Sequence, residues 1–96
     1  MSSLTKDEAR TDVLNRLRRA EGQLRGIQRM IEEGEDCLKV GQQFSAVRKA
    51  LDSTYVRMTM SLMEQELAVC IHPDPSQEAG LRHMLNEMET LMARMI

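Results

Sequence analysis

The amino-acid sequence predicts an all-α fold: a three-helix protomer made of a long antiparallel helical hairpin followed by a short C-terminal helix. Apolar residues recur at alternating steps of three and four over nearly the whole chain, which is the period of helices that pack along one seam. No stretch alternates with the period of two that marks a strand. The residues that interrupt the pattern, around Gly34 and at His72-Pro73-Asp74-Pro75, are those that stop and start helices. With 96 residues, and without an internal repeat, a low-complexity segment or a linker, the chain reads as one domain spanning 1–96.

The first helix is expected to begin at Thr5, which forms the pattern of a capping box with Glu8. Its seam runs Val13, Leu17, Ala20, Leu24, Ile27, Ile31. Gly22 and Gly26 lie inside this helix and weaken it, an arrangement that a close helix approach would explain. Gly34 provides a C-terminal stop. Asp36 caps the second helix, whose seam is Cys37, Val40, Phe44, Val47, Leu51, Tyr55, Met58, Leu62, Val69. No proline interrupts the run from Asp36 to Cys70, so this helix extends over about 50 Å at 1.5 Å per residue. Asp74 as N-cap, Pro75 in the first turn and Gln77 two residues on open the third helix. Its apolar face is Leu81, Met84, Leu85, Met88, Leu91, Met92, Met95.

Stripes this long exceed what one hairpin and one short helix can bury, so the sequence calls for assembly into a four-helix-bundle dimer, with further pairing into a tetramer. One Tyr, one Phe and no Trp leave the core to aliphatic residues and nine Met, a residue that fills irregular gaps and adaptable interfaces.

The formal net charge is -2, so attraction to nucleic acid has to come from local segregation of charge. Segregation is present. Over 1–31 there are seven basic residues, including Arg16, Arg18 and Arg19, against four acidic ones, and Glu32, Glu33, Glu35 and Asp36 then form an acidic turn. In an antiparallel hairpin the level of Arg16, Arg18 and Arg19 lies near that of Arg48 and Lys49. Repeated by symmetry, this makes a basic band suited to the phosphates of double-stranded DNA. The same cluster is also what a solvated face with intrahelical ion pairs looks like. No helix-turn-helix signal, zinc-finger spacing or aromatic platform accompanies it.

No phosphate loop, dinucleotide fingerprint, nucleophile elbow or metalloprotease motif occurs, and His72 and His83 lack a catalytic partner, so no enzymatic activity is expected. Without a signal peptide or an apolar span, the expected location is the cytoplasm, with no membrane partner. In that reducing space Cys37 and Cys70 serve redox or metal chemistry, or simply fill space as small apolar side chains. Cys37 stands at the first turn of the second helix, and Leu62, Glu66 and Cys70 share one face near its other end.

The run NRLRRAEGQLRGI over 15–27, MIEE over 30–33 followed by Asp36-Cys37, and QFSAVRKAL over 43–51 resemble the copper-sensing and nickel/cobalt-sensing repressor family (CsoR/RcnR) in order and spacing. The resemblance covers about half the chain; the remainder fits in length and character. It implies a disc-like tetramer of helical protomers that represses export or detoxification genes and leaves its operator when an effector binds between protomers. By the resemblance Arg16 falls on an arginine implicated in DNA binding, whereas a second basic position of the family falls on Ser53, with Arg48, Lys49 or Arg57 as substitutes.

The effector site departs from the copper sensors. Cys37 matches the first sensing cysteine of the family, but the His and Cys that complete a copper(I) site fall on Leu62 and Glu66. Nickel and cobalt sensors carry a histidine near the N-terminus, and 1–10 contains none. Persulfide sensors use a cysteine pair without histidine; Cys37 and Cys70 supply a pair, with Cys70 one turn beyond the expected place. Formaldehyde sensors keep the first cysteine with a Glu at the third position, as Glu66 does, but also a His where this chain has Leu62. The sequence thus reads as a repressor whose operator release is triggered at Cys37, through persulfide modification with Cys70. The alternatives are a soft metal such as copper(I) held by Cys37 and Cys70, with Glu66 or His72, and an aldehyde acting at Cys37 and Glu66.

Overall fold

A computed structural model describes residues 3–72 and 74–95, the side chains of Cys70 and Ile71 excepted. It contains three helices, α1 (Asp7–Glu32), α2 (Cys37–Ile71) and α3 (Pro75–Met95), and no strand among the described residues. Together they form a rod of 57 × 24 × 20 Å.

The turn between α1 and α2 is built by Gly34. Its φ of 73° lies in the left-handed region, which glycine occupies without a steric penalty. That conformation lets Gly34 N–H donate to Ile31 O (3.1 Å) and Glu35 N–H to Met30 O (2.9 Å), satisfying two carbonyls left open at the end of α1. Asp36 then caps α2 by accepting from Leu38 N–H at 3.4 Å. The chain reverses within this turn, so α2 runs back along α1.

α3 opens on the predicted box. Asp74 Oδ1 accepts from Ser76 N–H (3.0 Å) and Gln77 N–H (2.9 Å), and Gln77 Oε1 accepts from Asp74 N–H (3.2 Å). The hydroxyl of Ser76 and these amides hold the Asp74 carboxyl below its ordinary pKa. α3 folds back on the second half of α2, fixed by Glu64–Arg82 and Arg57–Glu89 ion pairs and by Leu85.

The start of α1 differs from the sequence expectation. Its N-cap is Lys6, which offers no side-chain acceptor. Thr5 instead donates its N–H to Gln65 Oε1 (2.9 Å), and Gln65 Nε2 donates to Ser3 O (2.7 Å). A tertiary contact with α2 has displaced the local cap.

Each predicted seam divides into an inner and an outer row. Val13, Ala20 and Ile27 of α1, and Val40 and Val47 of α2, are buried, at 3 to 8 % exposure, whereas Tyr55 of the predicted seam is exposed and its neighbour Thr54 takes the inner place. The residues between them in the pattern, Leu17, Leu24 and Ile31 and then Phe44, Leu51 and Met58, remain exposed. No described side chain is completely buried. The close approach expected at Gly22 and Gly26 is absent from the protomer: a Cβ at either would meet nothing within 4 Å.

Candidate effector site and nucleic-acid interface

Cys37 is the first residue of α2, and its thiol is free and exposed. Next to it in the chain are Leu38, 77 % exposed, and the exposed Glu35–Lys39 ion pair at 3.6 Å. The outer apolar row of α2, with Phe44, Leu51 and Met58, starts at this cysteine. The thiol therefore sits at the end of an uncovered apolar stripe.

Leu62 and Glu66 are half-buried on the far half of the same helix. From Cys37 to Glu66 is 29 residues of continuous helix, about 44 Å at 1.5 Å per residue. Cys70 belongs to α2 one turn further on, and its side chain lies outside the described residues. Within one protomer the two groups of candidates stand at opposite ends of a rigid rod and cannot share an effector.

A family model described as metal-sensitive transcriptional repressor matches residues 9–94. The chain belongs to the metal-sensitive transcriptional repressor family. It is similar to the copper-sensing transcriptional repressor RicR of Mycobacterium tuberculosis, 39% identical over 82 residues, covering 84% of this chain and 81% of the relative. It is also similar to the copper-sensing transcriptional repressor CsoR of Bacillus subtilis, 37% identical over 70 residues, covering 73% of this chain and 61% of the relative. No solved structure matches the chain. No helix described is long and apolar enough to cross a membrane.

For a metal-sensitive repressor, the donor set is the departure. Among the described residues no three His, Cys, Asp or Glu side chains converge on a point. Cys37 stands alone on its end of α2, and Leu62 offers only hydrocarbon at the other end. The described residues of one protomer do not gather the donors of a metal site.

The basic residues separate into two kinds. Arg18, Arg19, Arg48 and Lys49 are exposed, and none has a carboxylate within ion-pair distance among the described residues; Arg18 reaches only Asn15 Oδ1, at 3.1 Å. Arg16 is half-buried and pairs with Asp12 at 3.2 Å. Ser53 is half-buried and offers no charge. Arg57, a sequence-level substitute for that missing cation, is taken up elsewhere. Its Nε lies 2.8 Å from Glu89 Oε1 and 3.8 Å from Asp12 Oδ2. Neither contact is aligned as a hydrogen bond, so the buried Nε–H is held by charge rather than by a directed acceptor. Sequence reasoning missed this tie because its partners lie on three different helices; no local spacing announces it.

Proposed function

We propose that the protein is a DNA-binding transcriptional repressor that acts as a homodimer or homotetramer and releases its operator when an effector acts at an intersubunit site centred on Cys37. The observation that carries this is the placement of Cys37 on α2. The thiol is open at one end of an uncovered apolar row, about 44 Å along the helix from Glu66, so only another copy brings the two ends together. Four helices packed along the outer rows would bury Leu17, Leu24, Phe44 and Leu51 and lay Cys37 of one chain against the 62–70 face of the partner subunit. Arg16, Arg18, Arg19, Arg48 and Lys49 then supply the phosphate contacts, and a second copy doubles them.

The effector chemistry that fits a cysteine pair with leucine at position 62 is that of reactive sulfur. Cys37 thiolate attacks a sulfane sulfur, takes that atom as a persulfide and releases the donor's thiol. The thiolate of Cys70 in the partner subunit then attacks the inner sulfur and expels hydrosulfide, leaving a disulfide, or a longer bridge if the persulfide has first taken up more sulfur. A second reading, copper(I) held by Cys37 and Cys70 with Glu66 or His72, is favoured by the two copper-sensing relatives and by the softness of thiolate ligands.

Intact-mass measurement of the reduced protein after exposure to a polysulfide, beside a chelator-competed copper(I) titration, tests these readings. A covalent dimer formed on exposure to the polysulfide, as a disulfide or with whole added sulfur atoms, with weak copper binding, supports the sulfur switch. Tight stoichiometric copper(I) without a crosslink supports the metal reading. Neither result leaves an aldehyde at Cys37 and Glu66 as the effector to add next. Full effector-driven release of DNA from Cys37→Ala would sink every version centred on this thiol.

A further inference from the structure

Asp12 serves two arginines at once. Its Oδ1 and Oδ2 stand 3.3 and 3.2 Å from Arg16 Nε, and Oδ2 is also 3.8 Å from Arg57 Nε. Arg57 in turn stands 2.8 Å from Glu89 Oε1 on α3. The line Arg16, Asp12, Arg57, Glu89 therefore crosses all three helices. Of the five basic residues assigned above to DNA, Arg16 alone is held by a carboxylate among the described residues, and it alone is half-buried. A guanidinium already paired must exchange its carboxylate for a phosphate when DNA arrives, and the carboxylate left beside that phosphate opposes it.

We propose that Asp12 is a positioning residue that restrains Arg16 from DNA, and that Glu89, acting through Arg57, sets how firmly it does so. The proposal rests on Arg16 being a DNA contact. With Glu89 charged, Arg57 is shared between two carboxylates, and Asp12 is free to favour Arg16. Without that charge Asp12 is the only acid left to Arg57, the carboxylate is drawn towards α2, and its hold on Arg16 loosens. The seating of α3, which carries Glu89, is thereby linked to a DNA-contacting side chain on α1, and no covalent or metal chemistry is needed for the link.

The test is binding to a fluorescein-labelled mixed-sequence DNA duplex at low ionic strength, read by anisotropy, where phosphate contacts dominate. The variants are Asp12→Asn, Arg16→Gln, the two combined, Glu89→Gln, and Glu89→Gln combined with Arg16→Gln. Glu87→Gln is the equal-charge control on α3, since among the described residues Glu87 pairs only with exposed His83, at 3.1 Å. Asp12→Asn is expected to bind about twofold to fivefold tighter, the range open to a half-exposed ion pair, and the gain is expected to vanish in the Arg16→Gln background. Glu89→Gln should give a smaller gain that also needs Arg16 and exceeds that of Glu87→Gln. A gain from Asp12→Asn that persists without Arg16 reduces Asp12 to bulk charge and overturns the proposal, as does no gain or a loss. Arg16→Gln alone binding like the parent removes Arg16 from the DNA interface, a failure of the underlying assignment that is read from that single variant. Circular dichroism and sedimentation confirm equal fold and assembly; should Asn disturb the helix, Asp12→Ser takes its place in the same cycle.

Discussion

At the end of the rod where α3 folds back, Val56, Met60 and Leu85 are 3 or 4 % exposed and are wrapped by Leu67, Leu81, Met88 and Met92. At the other end Ile27, Val40 and Val47 form a comparable core with only Met30 beside it, while Ile31, Leu38 and Phe44 stand 59, 77 and 53 % exposed. The two ends share one helix, α2, and the same apolar period. They differ in whether the chain brings its own third layer. A hydrophobic row left open along a helix marks the place where another surface belongs, and the free thiol of Cys37 lies in that row. Stability is therefore expected to depend on the protomer at the α3 end and on assembly at the Cys37 end.

The largest effect should come from Leu85→Ala. Removing a side chain that closes the core between α2 and α3 costs about 2–4 kcal/mol by lost transfer and cavity terms. Urea unfolding should show this loss at any protein concentration, because the contact is within one chain. Phe44→Glu should behave oppositely. It places a charge in the outer row of α2 yet touches none of the buried cluster, so far-ultraviolet dichroism of the monomer should change little. The dissociation constant for assembly should rise at least about tenfold, as when an interface aromatic is lost and a charge is buried in its place. Sedimentation equilibrium reads this directly, and an unchanged mass distribution would remove the contrast between the ends.

A smaller effect concerns the caps of α2 and α3. Asp74 accepts from two amides and a hydroxyl, whereas Asp36 accepts one amide at 3.4 Å. The folded pKa of Asp74 is depressed, so the stabilisation it gives is present above the ordinary carboxylate range and is lost as pH falls through the depressed value. Amide exchange at the start of α3 should therefore accelerate on acidification, and Asp74→Asn should remove that acid dependence while leaving the start of α2 unaffected.

How much of this was legible in the sequence follows from the range of each interaction. The stop at Gly34, the cap at Asp36 and the box at Asp74 act within a few residues, and each stands where its spacing places it. The Thr5 cap failed because Gln65, distant in sequence, captured that segment. The seam of α1 includes its buried Val13, Ala20 and Ile27, but the seam of α2 misses the buried Thr54, Val56 and Met60 and includes the exposed Tyr55; nor does periodicity alone divide the rest into an inner row of Val40 and Val47 and an outer row of Phe44 and Leu51, which needs the position of α1. Cys37 was legible from its place at a helix start. Whether its sequence-level partners meet it was not, because Leu62 and Glu66 lie on the far half of α2, with Glu66 about 44 Å along the helix.

The smallest expected effect comes from glycine. Gly26 sits in the middle of α1 next to buried Ile27, and a Cβ there meets nothing within 4 Å in the protomer. Alanine at this site gains about 0.5–1 kcal/mol of helix propensity, since it fixes less backbone entropy on folding. If α1 is open to solvent on this side in the assembled protein, Gly26→Ala should raise the midpoint of thermal unfolding by a few degrees, with an unchanged sedimentation profile. If Gly26 is instead where a second copy approaches closely, the added methyl should weaken assembly, and the midpoint should fall more at low protein concentration than at high. The direction of this one shift tells whether the outer surface of α1 at Gly26 belongs to the solvent or, with the row of Leu24 and Ile31, to another chain.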